Sequence, residues 1–299
     1  MIEAADRKKQ NARRGLAVYF TVLFVGSGYV EWRILQMDKS VIPPYIGETS
    51  LPEFVFMYVP AVASIVARLT LREGFDDVSF RLGGKEGIKA LLLAWAYPIA
   101  VGFLAYGTAW ITGLAKFQPP LPQESHLNSS SAVANFLTSF VFNATLGAIV
   151  SCLSALGEEI GWRGYMLTRL FVSGVPKPVL VSGLIWALWH IPLILSGRYA
   201  SGVAQLSAMF FVVGTVVDAY LVAYVRLRSG SIWPAVTYHG AWNAIIRTFD
   251  RASIDTHLAL GGSGWLTATI AIVVMLFITR GSWKLQARPG QALILPSGS

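Results

Sequence analysis

Four sets of polar side chains interrupt long apolar runs: Glu158, Glu159 and Arg163; Trp186 with His190; Asp218; and His239 with Asn243. On a helix each residue advances by about 100°. Glu159 and Arg163 therefore share a face in the favourable order for an i,i+4 ion pair, and Arg163 is expected to neutralise Glu159. Glu158 points about 100° away and is left to face a cavity. A carboxylate in an apolar pocket suits a general base for water near neutral pH. His190 could hold the same water or pass its proton to a leaving amine. His239 and Asn243, four apart on one face, could donate hydrogen bonds to the oxyanion of a tetrahedral intermediate. Together these residues make a set suited to amide hydrolysis.

The elements that must position them are membrane helices. Apolar residues make up 54% of the 299 positions, charged residues 13%, and mean hydropathy is +0.55. Those values lie outside the range of an ordinary soluble domain and indicate an integral membrane protein. Apolar windows run over 16–35, 54–71, 88–114, 132–171, 179–195, 206–225, 232–246 and 265–278, which predicts an all-α polytopic bundle of about eight transmembrane helices. The expected organisation is a basic N-terminal segment (1–15), one transmembrane domain (16–280) whose motif core spans about 130–250, and a tail (281–299). The first apolar segment follows Arg7, Lys8, Lys9, Arg13 and Arg14 and has no small-residue cleavage site after it, so it reads as an uncleaved helix and not as a signal peptide. The net charge of +8 is spread at the ends of apolar segments, a positive-inside pattern and not a nucleic-acid surface. Both termini are then expected in the cytoplasm, with the protein in the plasma membrane. The single cysteine, Cys152, has no intrachain disulfide partner.

The fourth window is too long: 40 apolar-rich residues would make a helix of about 60 Å, twice the hydrocarbon thickness. It is expected to be broken, bent or partly outside the core. For Glu158 to meet His190, His239 and Asn243 at one depth, its helix must continue roughly 7 to 11 residues beyond it. Gly157, Gly161 and Gly164 fall at helical spacing and would let a neighbouring backbone approach closely. Asp218 reads as the partner of a buried polar group, His126 and His257 as solvated loop residues, and Trp162 and Trp242 as candidates for the cavity wall.

At these spacings the chain resembles the CAAX prenyl endopeptidase and bacteriocin-processing (CPBP, or Abi) family of intramembrane proteases. The motifs read EEIGWR (Glu158 to Arg163), WALWH (Trp186 to His190) and HGAWN (His239 to Asn243). The one departure is Trp186, where the family has Phe, which bears on packing near His190. The resemblance implies an eight-helix core and an endopeptidase that cuts membrane-associated, in some members prenylated, peptides or proteins at or in the cytoplasmic leaflet. It implies Glu158 as base, His190 as its partner, and His239 with Asn243 as oxyanion donors, supported by Glu159, Arg163 and Trp186. No cofactor is expected: the metal-free glutamate mechanism is preferred. The alternative is a His2Glu zinc site of Glu158, His190 and His239, against which Asn243 is a poor ligand and no HExxH occurs. A rival from another class is a proton-coupled transporter in which Glu158, Asp218 and the histidines relay protons. An inactive scaffold is disfavoured because every expected catalytic position is filled.

Overall fold

The computed structural model describes residues 2–37, 45–46, 49–119, 130–197, 204–256, 258–262 and 264–279. Within them lie eight helices: α1 (Ile2–Gln36), α2 (Leu51–Leu71), α3 (Gly84–Thr112), α4 (Ala132–Val172), α5 (Pro178–Leu195), α6 (Ala204–Ser229), α7 (Trp233–Arg251) and α8 (Trp265–Thr279). Proline opens α5 and α7, where a missing N–H is tolerated and φ is already helical. The architecture is the expected all-α membrane bundle, and the chain is an integral membrane protein. Six of the eight helices are long and apolar enough to cross a membrane. The other two are α7, which carries His239, Asn243, Arg247 and Asp250, and α8, which is apolar but has only 15 residues. Hydropathy fails on α7 because its polar face is turned toward the protein interior. The tail from 280 onward, His126 and His257 lie outside the described residues.

The long fourth window is one helix and is not broken. It contains two π-turns, Asn143–Gly147 and Trp162–Met166, the kind of local widening that recurs at functional sites. Its excess length is accommodated at the C-terminal end, where Trp162, Arg163, Tyr165, Met166 and Leu167 are at most 1% exposed. There the helix runs through protein, not lipid. It continues past Glu158 to Val172, longer than the roughly 7 to 11 residues that depth matching asks for.

Close packing fixes α4 against its neighbours. A Cβ on Gly161 would meet the Pro60 carbonyl oxygen of α2 at 2.6 Å, and one on Gly240 of α7 would meet the Cys152 backbone nitrogen at 2.7 Å. Only glycine permits these crossings. The second of them sets His239 beside the paired glutamates.

The two ends of the bundle differ. At one, Arg68 Nη1 and Arg169 Nη1 each donate to the Asp77 carboxylate at 2.5 Å, Arg68 Nη2 donates to the Gly164 carbonyl, and Arg226 Nη2 donates to the Asp77 carbonyl. The Ile232 N–H donates to the Ser79 carbonyl, so the 230–232 connection lies there too. At the opposite end, residues 116–117 pair antiparallel with 253–254, and the Tyr106 hydroxyl donates to Asp250. Burial would raise the Asp77 carboxyl, but the Arg169 charge and the hydrogen bond and charge of Arg68 outweigh it, and the pKa is held below its ordinary value.

Two outcomes follow from this packing. Asp77→Asn strands buried guanidinium groups and should lower unfolding stability by about 3 kcal/mol, read as a fall in thermal midpoint in detergent at neutral pH. Because the folded-state pKa is the lower one, the wild-type advantage is present above the ordinary carboxylate range and should shrink as pH falls through the folded value. Gly240→Ala should cost about 1–3 kcal/mol by forcing α4 and α7 apart; an unchanged midpoint would show that this crossing is not tight.

Candidate active site

The two adjacent glutamates of α4 diverge as the helical wheel requires. Glu159 Oε1 accepts from Arg163 Nη1 at 2.8 Å, the ion pair expected from the spacing. The same oxygen accepts from His239 Nδ1 at 2.9 Å, so Glu159 also orients a ring on α7. The expected separation of Glu159 as a purely structural partner is therefore incomplete: Glu159 also contacts His239. With Nδ1–H donated to Glu159, His239 turns Nε2 toward Glu158, 4.0 Å from its Oε1.

Glu158 is held by two indoles. Its Oε2 accepts from Trp162 Nε1 at 3.0 Å and from Trp186 Nε1 at 2.8 Å. Trp162 stands four residues after Glu158, the same relation that pairs Glu159 with Arg163, and that spacing was the signal for it. Trp162 is fully buried and does not line the cavity; Trp242 does. Trp186 bears on more than packing near His190. A phenylalanine there could not supply the N–H, so the departure from the family pattern reaches the carboxylate itself. The Arg163 guanidinium lies over the Trp186 ring, 4.1 Å from its centre, which ties both glutamate arrangements together.

His190, on α5, donates Nδ1–H to the Trp186 carbonyl at 2.9 Å. Nε2 is then the nitrogen of the neutral ring that can accept a proton. Its ring packs against Trp189 and Phe211, with centres 4.8 and 5.1 Å away. Trp189 in turn stacks on Phe56 and donates to Ser27 Oγ, so α1, α2 and α5 brace the ring jointly.

Glu158, His190, His239 and Asn243 line one cavity of about 530 Å³. Glu158 is 1% exposed, His190 5% and His239 6%. Asn243, one turn along α7 from His239, is half-buried on the same wall. Asp218 of α6 also lines it and is buried; the sequence reading left it to a structural role and did not place it at the cavity. The other walls are largely apolar, among them Phe56, Leu193, Phe211 and Ile246, a mixture suited to an organic ligand with a few orienting polar groups.

The zinc alternative can be tested against these side chains. Among the described residues no three His, Cys, Asp or Glu groups converge as ligands of one ion. One oxygen of Glu158 is already taken by two N–H donors, and Glu158 and His239 stand 4.0 Å apart. A zinc ion, if bound, would have to take Glu158 Oε1, His239 Nε2 and His190 as its ligands.

A search of curated proteins returns no match. Residues 138–245, which contain all three motifs and the four cavity-lining residues Glu158, His190, His239 and Asn243, match the family model described as type II CAAX prenyl endopeptidase Rce1-like. Over the segment that builds the site, the chain is thus similar to CAAX-type prenyl endopeptidases.

Proposed function

We propose that this protein is an intramembrane endopeptidase that hydrolyses a peptide bond of a membrane-associated substrate with water activated by Glu158. The observation that carries the reading is the carboxylate itself. One oxygen is fixed by two indole N–H groups, and the other faces a cavity beside His239. Fixing Oε2 satisfies a buried charge and aims Oε1, so the base is preorganised before substrate arrives.

In the proposed reaction a water donates a hydrogen bond to Glu158 Oε1 and attacks the substrate carbonyl carbon as Glu158 takes its proton. The new C–O bond converts the carbonyl to an oxyanion, which His239 Nε2–H and the Asn243 amide hold. That role requires His239 to carry both protons, since Nδ1–H is engaged by Glu159. The C–N bond then breaks, and the leaving amine receives through His190 Nε2 the proton that Glu158 gained. Glu158 returns to the carboxylate, and no metal takes part. The apolar walls suit a hydrophobic peptide, with or without a prenyl group.

Purified protein in detergent or liposomes is expected to cleave a membrane-associated peptide. Glu158→Ala and His190→Ala should each reduce turnover by a factor on the order of 10² to 10⁴ while leaving the thermal midpoint within a few degrees of wild type. Wild-type turnover in Glu158→Ala would overturn the assignment of the base. Stoichiometric zinc in the active protein, with activity lost on chelation and restored by the metal, would overturn the metal-free step.

A further inference from the structure

The cavity belongs to one half of the bundle. From Glu158, His190 and His239 its lining runs back along α4 to Phe142, and along α7 to Arg247 and Asp250, with Glu53 from the first turn of α2. Glu53, Leu146 and Arg247 are exposed, whereas the glutamate and histidines at the other extreme are buried. Asp250 is bonded to Tyr106, whose hydroxyl also accepts the Gly261 N–H, so the exposed extreme is the end opposite Asp77. Among the described residues none from the 72–83, 173–177 or 230–232 connections lines the cavity. Past Glu158 toward those connections, Trp162, Arg163 and Tyr165 of α4 are buried and none of them lines the cavity.

The basic residues orient that bundle. Among the described residues only four Lys and Arg fall in or beside the connections of the exposed extreme: Arg33, Lys116, Arg247 and Arg251. Arg163 is in mid-bundle, and the other fourteen described Lys and Arg belong to the Asp77 end, five of them before Gly15. The excess of Lys and Arg flanking membrane helices sets the cytoplasmic face, and acidic residues contribute little to that bias. The Asp77 end is therefore the cytoplasmic one.

We propose that the catalytic cavity opens on the extracytoplasmic side of the membrane and takes a membrane-anchored peptide segment presented from the outer leaflet. The sidedness follows from cavity and charge together. The substrate half rests on the proteolytic reading above. Anchoring is favoured over a free peptide because the α4 wall of the cavity includes Phe142, Leu146 and Val150, apolar side chains that are themselves 37–58% exposed. On a membrane helix such a wall is continuous with lipid and admits a chain sideways. The geometry thus runs against access from the cytoplasmic leaflet, the side implied by resemblance alone.

The test uses the full chain with Cys152→Ser as background, carrying either Glu53→Cys at the mouth or Arg81→Cys at the Asp77 end, in spheroplasts of a bacterial host. A membrane-impermeant maleimide should label Glu53→Cys in intact spheroplasts and Arg81→Cys only after lysis, with both labelled in detergent. Labelling of Arg81→Cys in intact spheroplasts, or protection of Glu53→Cys until lysis, would overturn the sidedness whatever the protein cleaves. Leu146→Cys serves as a second mouth position should Glu53→Cys fail to accumulate. In parallel, membrane proteins from cells with wild type and with Glu158→Ala are compared for new peptide termini. Termini in outer-leaflet segments of anchored proteins support the substrate assignment; termini confined to cytoplasmic segments or to free secreted peptides overturn it. Correct labelling without any new terminus would count against proteolysis while supporting the sidedness.

Discussion

Glu159 accepts hydrogen bonds from Arg163 and His239 through a single oxygen, and the rest of the site is arranged around that shared contact. It joins the ion pair within α4 to the ring delivered by α7. A carboxylate this deeply buried is tolerable only with such partners, because an unpaired charge in the membrane interior is expensive. The same contact fixes which nitrogen of His239 faces Glu158, so an interaction that reads as structural also determines what the neighbouring group can do. Arg163 extends the arrangement to α5 by lying over Trp186, whose N–H reaches Glu158. One ion pair thereby links three helices and both glutamates.

The length of α4 belongs to the same physics. A 41-residue helix exceeds the hydrocarbon thickness, and the bundle accommodates it by enclosing its last turns in protein. The Asp77 cluster then closes that end with Arg68, Arg169 and Arg226. The buried charge there anchors connections, whereas the buried charge around Glu158 faces a cavity. The difference is the availability of a vacant side, not the chemistry of the groups.

Much of this was legible in the sequence, for identifiable reasons. Apolar windows located the helices because lipid imposes an unbroken hydrophobic stretch on six of them. The same signal is weak on α7, where His239, Asn243, Arg247 and Asp250 line the cavity. The Glu159–Arg163 pair followed from helical spacing alone, and the same rule applied to Glu158 would have found Trp162. The contact between Glu159 and His239 joins residues 80 apart in sequence, and no periodicity encodes it. Neither did the spacing reveal that Trp186 supplies a hydrogen bond to Glu158, since that depends on the crossing of α4 and α5. Of the three outcomes left open for α4, broken, bent or partly outside the core, the first does not occur, because protein replaces lipid around its final turns.

The division of labour between the adjacent glutamates is tested most directly by measuring turnover and thermal midpoint on the same preparations of Glu158→Gln and Glu159→Gln. Glu158→Gln should keep a near-wild-type midpoint, since its amide oxygen can still accept from both indoles, and should lose turnover by at least about 100-fold. Glu159→Gln should lower the midpoint by an amount reflecting about 3 kcal/mol, as a buried pair is broken. The reverse pattern, a stable but inactive Glu159→Gln beside an active Glu158→Gln, would contradict the account.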